Sequence, residues 1–166
     1  MFAGLVAKNK KSLFAGASFG LTSGVITTLG ILVGVGTITN SMEAVLAGII
    51  SVAIADSLSD AMGMHLAKEA EGGSHSNEIW SITFATFATK FLFTIIFILP
   101  IIFFDLKEAM VIGIASGFIL LSLLSLVITR INKQKPLKPI LEHNLTALLV
   151  ITLTYVVGYL VHRFIS

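Results

Sequence analysis

The sequence predicts an all-α membrane protein with five transmembrane helices. Of its 166 residues, 55% are hydrophobic and only 12% are charged. The mean hydropathy of +0.97 lies well outside the range of soluble domains. Charged residues are absent from long stretches, and a helix needs only about 20 apolar residues to cross the hydrocarbon core. Because lipid offers no partners to backbone amides, segments of this length and number are expected to be helices.

Five segments meet this length requirement. The first follows a basic N-terminal stretch, but its apolar run exceeds the roughly 7 to 15 residues of a signal-peptide core, so we expect it to be retained. The later spans are separated by short polar or charged connections. The predicted spans are 13–38, 44–66, 79–104, 109–130 and 143–163, and together they form a single domain, 1–166.

Local signals predict one helix start, one helix end and one packing face. Asn40, followed three residues later by Glu43, fits a capping box that opens span two. Gly72 and Gly73 predict the end of that helix. Span one carries glycines at four-residue spacing, a pattern that lets helix backbones approach closely. We expect this face to pack against span two, against a symmetry mate, or generally inside the monomer. The glycines are Gly16, Gly20, Gly24, Gly30 and Gly34.

The distribution of basic residues predicts the orientation. Lys107 and Arg163 fall on one side of the membrane, and Lys90 lies inside span three. The other eight fall on the opposite side: Lys8, Lys10, Lys11, Lys68, Arg130, Lys133, Lys135 and Lys138. The positive-inside rule then puts the N-terminus in the cytoplasm and the C-terminus outside. We expect an integral, multi-pass protein of a prokaryotic cell membrane or of an organellar membrane.

Two carboxylates stand in the middle of span two. Asp56 and Asp60 are one helical turn apart and therefore share a face, which Met64 continues and to which Glu71 returns beyond the membrane edge. An ionisable residue at mid-span costs on the order of 2.5 to 3.5 kcal/mol on insertion scales, and two ionised carboxylates would also repel each other. A bound cation, protonation or a permanent partner charge must offset this cost.

Lys90 is a candidate partner charge. At 1.5 Å rise per residue it reaches roughly the depth of Asp56. One hypothesis is a structural ion pair of Lys90 with Asp56, which leaves Asp60 unexplained. The other is a cation and proton site in which Asp56 and Asp60 bind a divalent metal or exchange protons, while Lys90 competes when the metal is absent.

The residue types bear on the metal. Cysteine is absent, so thiolate sites and disulfides are excluded. Oxygen ligands alone suit a hard ion, whereas the thioether of Met64 favours a softer one such as Fe²⁺. A set of acidic and histidine residues at the cytoplasmic end allows two interpretations. It is a second metal station, where Fe²⁺, Mn²⁺ or Zn²⁺ gathers before entering from the cytoplasm, or it is an ordinary solvated surface. That set comprises Glu69, Glu71, His75, Glu78, Glu142 and His143.

Three stretches resemble the vacuolar iron transporter (VIT) family of ferrous iron and manganese transporters. They are "GLTSGVITTLGILVG" in span one, "AGIISVAIADSLSDAMGMHLAKEAE" in span two and "LTYVVGYLVHRFIS" in span five. The resemblance runs through all five spans and is strongest between Ser57 and Glu71. It implies a homodimer of five-helix protomers, with a metal path at the dimer interface between the first two spans of each subunit, and export of metal from the cytosol in exchange for protons.

The chain differs from this family pattern at two positions and in one segment. Phe19 stands where the family usually has an acid, and Asp60 stands where it has a methionine. The helical cytoplasmic metal-binding domain of larger members is replaced by the short loop "GGSHSNE". Either Asp56 and Asp60 replace the missing carboxylate, or the chain moves another ion or none.

The sequence thus favours a proton-coupled transporter of divalent transition metal, with the lipid bilayer, metal ions, protons and a second copy as partners and no permanently bound cofactor. The metal residues are Asp56, Asp60, Met64 and Glu71, and Lys90 shares the proton and counter-charge role with the two aspartates. The alternative is a non-transporting membrane scaffold. No nucleophile and base arrangement, phosphate-binding loop or HExxH motif indicates an enzyme, and the net charge of +2 is too small to indicate nucleic acid.

Overall fold

The computed structural model describes the backbone of residues 2–165 and the side chains of residues 9–164. Lys8, one of the basic residues counted above, lies outside the described side chains. The described chain is all-helical, without β-strands. Its helices are α1 (Phe2–Thr39), α2 (Met42–Ala70), α3 (Ser76–Ile95), α4 (Ile98–Phe103), α5 (Leu106–Ile131) and α6 (Leu137–Ile165).

Five helical segments in the described chain are long and apolar enough to cross a membrane, which confirms the predicted number. They are Asn9–Thr39, Met42–Ala70, Ser76–Phe103, Leu106–Ile131 and Leu137–Phe164. Most extend beyond the predicted boundaries, and the last begins six residues before the predicted start at 143. Hydropathy detects only the apolar part of a helix, whereas the backbone stays helical into the polar interface.

The third span is two helices rather than one continuous helix. α3 ends at Ile95 and α4 begins at Ile98, with a turn between them. Pro100 explains the position of the break, because proline has no N–H to give to the carbonyl of Ile96 and its ring crowds that carbonyl. The Leu99 N–H instead donates a hydrogen bond of 3.2 Å to the carbonyl oxygen of Ile96. The neighbouring hydrogen bonds of the turn are 3.1 and 3.3 Å long.

The start of α2 differs from the prediction. The N-cap is Ser41, whose hydroxyl accepts a hydrogen bond of 3.2 Å from the Ala44 N–H. Asn40 has a φ of 47° and ends α1, with its N–H bonded to Gly36 O. Serine and asparagine are both good N-caps, but asparagine also tolerates the left-handed conformation that ends a helix. The end of α2 follows the prediction.

α1 is the central helix, in contact with α2, α3, α5 and α6. Its glycines face two different neighbours: Gly16, Gly20 and Gly24 lie against α3, and Gly30 and Gly34 lie against α6. The glycine face therefore packs inside the protomer, as one of the predicted alternatives has it. The nearest atoms to these five glycines come from α3 and α6 rather than from span two.

Two apolar clusters hold the helices together. One joins α1, α2, α4 and α5 through Leu32, Val45, Ile49, Ile101, Leu106 and Ala109. The other joins α1, α5 and α6 to the turn between α3 and α4 through Val25, Leu29, Phe97, Leu121 and Ala147. α2 contributes only one face to this packing. Its other face is exposed along the length of the helix and includes Ile50, Ile54, Leu58, Met62 and Leu66.

Candidate functional site

A buried lysine contacts both aspartates in the middle of α2. Lys90 Nζ lies 2.5 Å from Asp56 Oδ2 and is also paired with Asp60 Oδ2. The pairing with Asp56 is the one that the depth estimate predicts. The contact with Asp60 fits the hypothesis in which Lys90 competes for both carboxylates, whereas the hypothesis of a single ion pair with Asp56 left Asp60 unexplained. We call Lys90, Asp56, Asp60 and Ser23 the Lys90 cluster.

Ser23 belongs to this cluster because its hydroxyl donates a hydrogen bond of 2.7 Å to Asp60 Oδ2. Asp60 therefore receives donors from both α1 and α3. Ser23 was missed by the sequence reasoning, since serine in a transmembrane helix commonly bonds to its own backbone. Its position three residues beyond Gly20, near the α3 face of α1, is the only sequence signal that could have indicated it.

Glycines on α1 set the position of Lys90. A Cβ atom added at Gly20 would lie 2.5 Å from the carbonyl oxygen of Thr86 and 3.0 Å from the amide nitrogen of Lys90. One added at Gly24 would lie 3.0 Å from the carbonyl oxygen of Lys90. The backbone of α3 thus rests directly on α1 at this level. This contact brings the lysine side chain between α1 and α2, within reach of both aspartates.

Exposure differs sharply within the cluster. The side chain of Lys90 is 1% exposed, whereas those of Asp56 and Asp60 are 36% and 24% exposed. The ammonium is therefore buried, whereas the two carboxylates are partly accessible from the surface of the helix bundle. The ionised cluster contains two negative charges and one positive charge. One negative charge per protomer is therefore left uncompensated.

A buried hydroxyl lies next to the cluster in sequence. Ser57 follows Asp56 and is fully buried. Its Oγ has no hydrogen-bond partner among the described residues, and the same holds for Oγ1 of Thr94, one turn beyond Lys90 on α3. Buried polar atoms normally have a partner. α2 and α3, the helices that carry the aspartates and the lysine, thus each have one buried hydroxyl without a hydrogen-bond partner among the described residues.

Met64 and Glu71 lie outside the Lys90 cluster. They line a separate pocket of about 450 Å³ between α1, α2 and α3, which we call the Glu78 pocket. Its lining consists of Lys11, Ser12, Ala15, Met64, Lys68, Glu71, Gly72, Gly73, Ser74, Glu78 and Ile82. Met64 and Glu71, predicted for the metal site, therefore share one pocket with Glu78 of the predicted cytoplasmic station, to which Glu71 was assigned as well.

The remaining residues of the predicted cytoplasmic station are dispersed. Glu69 and His75 are exposed and do not line the Glu78 pocket. On α6, Glu142 pairs with Lys138 at 3.7 Å, and His143 Nδ1 lies 2.7 Å from the hydroxyl of Ser125 on α5. Among residues 9–164, no three or more histidine, aspartate or glutamate side chains form a group that could hold a metal ion.

The Lys90 cluster has the chemistry of a site for positive charge, with two convergent carboxylates already holding one ammonium. Comparison of the chain with protein-family models, with curated proteins and with solved structures finds no match. Its function is therefore inferred from its own residues.

Proposed function

We propose that this protein is a membrane transporter for a divalent transition-metal cation, with Asp56 and Asp60 as the binding carboxylates and Lys90 as the counter-charge that holds them when no metal is bound. The observation that carries the proposal is one buried ammonium bound by two partly exposed carboxylates. The sequence resemblance supplies the substrate class, Fe²⁺ or Mn²⁺, with Zn²⁺ as a further candidate.

The difference in exposure supports exchange of the partner charge. A cation that approaches along the open face of α2 meets the carboxylates before it meets Lys90. Protonation of one aspartate brings the cluster to neutrality as long as Lys90 keeps its charge. A divalent cation can then replace that proton, because both compete for the same carboxylate oxygens. This competition is the basis of the proposed coupling to protons.

A stripe of small residues on α2 supports a dimer. It consists of Ala47, Ser51, Ala55, Ser59, Gly63 and Ala67, which recur every four residues and are all exposed. Helices in membranes pack closely through such stripes. Asp56 and Asp60 each follow a member of the stripe by one residue. Packing of this face on its copy would bring the carboxylates of both protomers to the rim of a shared path.

The proposed direction of transport combines the family resemblance, which implies export from the cytosol, with the predicted orientation of the chain. The excess of lysine and arginine on one side predicts a cytoplasmic N-terminus and an external C-terminus. The proposed reaction is export of metal from the cytosol in exchange for protons. The protein would act in the cell membrane of a prokaryote or in an organellar membrane.

The proposal is tested by metal flux in proteoliposomes. Fe²⁺ or Mn²⁺ uptake is measured under an imposed pH gradient for the wild type, Asp56→Asn, Asp60→Asn and the double variant. We expect flux in the wild type and loss of flux in the double variant. Glu108→Gln, an exposed acid on α5, is the matched control. Undiminished flux in the double variant would remove the aspartates from the mechanism.

The same geometry favours a second candidate, a membrane scaffold without transport. Lys90 binds both carboxylates within one protomer, as a purely structural ion cluster requires. Thermal unfolding with and without Mn²⁺ separates the two candidates, since a ligand at 100 times its Kd stabilises the folded state by about 2.7 kcal/mol. Absence of a shift over a wide range of metal concentrations favours the scaffold.

A further inference from the structure

The Glu78 pocket contains a buried carboxylate that the Lys90 cluster does not use. Glu78 lies in the first turn of α3 and is only 4% exposed. Its Oε1 has no hydrogen-bond partner among the described residues. A buried carboxylate oxygen without a donor or a cation is unfavourable, so native proteins rarely retain one. The residue therefore indicates a ligand that carries positive charge.

A second carboxylate lines the same pocket and is weakly held. Glu71 pairs with Lys68 at 2.5 Å, and the glutamate side chain is 63% exposed. An exposed pair of this kind contributes little free energy, because water and salt screen it. A cation in the pocket can therefore take Glu71 from Lys68 at small cost. Hydroxyl groups of Ser12 and Ser74 also line the pocket.

The pocket shares its residue types with the Lys90 cluster. Two carboxylates line it, Lys68 pairs with one of them, and Lys11 is a second lysine in the lining. The Met64 side chain, one helical turn beyond Asp60, lines the pocket as well. The pocket thus begins one turn of α2 beyond the Lys90 cluster, and α3 completes it through Glu78. With a cytoplasmic N-terminus, the Glu78 pocket is the first that a cation from the cytosol would reach.

We infer that the Glu78 pocket is a second binding site for a divalent cation, with Glu78 and Glu71 as its carboxylate ligands and Lys68 as the residue that the cation displaces. The terminal torsion of glutamate is broad, so the Glu78 carboxylate can turn its free oxygen toward the pocket. As a loading site for transport, this inference rests on the proposed function. As a binding site, it is measurable without transport.

The test is Mn²⁺ binding to the purified full-length protein in nanodiscs, with free Mn²⁺ measured by electron paramagnetic resonance. We expect two Mn²⁺ sites per protomer. Glu78→Gln should remove one site or weaken it by about tenfold or more, as loss of groups that support a metal commonly does. Glu69→Gln removes an exposed acid at the same end of α2 and serves as the control. It should leave both sites intact.

Lys68→Met provides a test of opposite sign. If the lysine competes with the cation for Glu71, its removal should tighten Mn²⁺ binding at the pocket by up to about fivefold, the range that an exposed ion pair allows. This result cannot come from a misfolded variant. Unchanged Mn²⁺ stoichiometry and affinity in both Glu78→Gln and Lys68→Met would overturn the inference.

Failure of the inference is distinguishable from failure of the proposed function. Mn²⁺ flux that depends on Asp56 and Asp60, together with binding that is indifferent to Glu78, would refute the pocket and leave the transporter intact. Mn²⁺ binding that depends on Glu78, without flux in proteoliposomes, would refute the transporter and leave the pocket intact.

Discussion

Gly20 of α1 and Lys90 of α3 are in backbone contact, since a Cβ at position 20 would lie 3.0 Å from the lysine amide nitrogen. We expect Gly20→Ala to force the helices apart, because the new methyl group would also lie 2.5 Å from the backbone oxygen of Thr86. Thermal unfolding should show a lower Tm. Gly36→Ala, whose Cβ meets the flexible Met110 side chain at 3.2 Å, should change the Tm little.

The burial of Lys90 predicts a strongly non-additive effect of the two aspartates. Each single asparagine substitution leaves the ammonium one carboxylate and should cost about 1 kcal/mol of unfolding free energy. The double variant Asp56→Asn and Asp60→Asn leaves a buried charge without a partner and should cost about 3 to 5 kcal/mol. Chemical denaturation in detergent measures all three. Equal and additive costs would contradict the shared pairing.

Lys90→Met should cost less than the double asparagine variant. It leaves two carboxylates that are 36% and 24% exposed and so keep part of their hydration, whereas the double variant strands an ammonium that is 1% exposed. The triple variant, which removes all three charges, should recover most of the loss, because a buried ion cluster often contributes little over an apolar replacement. A triple variant no more stable than the double one would contradict this account.

The stripe of small residues predicts where two protomers meet. The chain has no cysteine of its own, so any disulfide must form through the single cysteine that is introduced. Under mild oxidation in native membranes, Ser59→Cys on the stripe should form a disulfide-linked dimer, seen on a non-reducing gel. Leu145→Cys, exposed on α6, is the control and should stay monomeric. Cross-linking at position 145 alone would place the interface on α6 instead.

The predicted orientation is tested with the same cysteine-free background. Gln134 lies between α5 and α6 on the predicted cytoplasmic side, and Asp105 lies between α4 and α5 on the predicted external side. Both side chains are exposed. The two test variants are Gln134→Cys and Asp105→Cys. A membrane-impermeant maleimide applied to intact cells should label position 105 and spare position 134. The opposite pattern would invert the topology and the proposed direction of transport.

The number of spans was predictable because it depends on composition over long windows. The pairing of Lys90 with Asp56 followed from depth along the helix, since the rise per residue is fixed. Ser23 escaped because its contact with Asp60 depends on how each helix is rotated about its axis, which depth does not give. The neighbours of the glycine face escaped for the same reason. The break near Pro100 had a local signal that hydropathy does not register.

The uneven charge count of the Lys90 cluster has an electrical consequence. While Lys90 keeps its charge, replacing one proton by one divalent cation adds a positive charge at mid-membrane. Carrying one elementary charge across the full membrane changes the energy by about 2.3 kcal/mol per 100 mV. Export should therefore slow when the interior becomes more negative. Flux that ignores voltage would mean that two protons, rather than one, are exchanged for each cation.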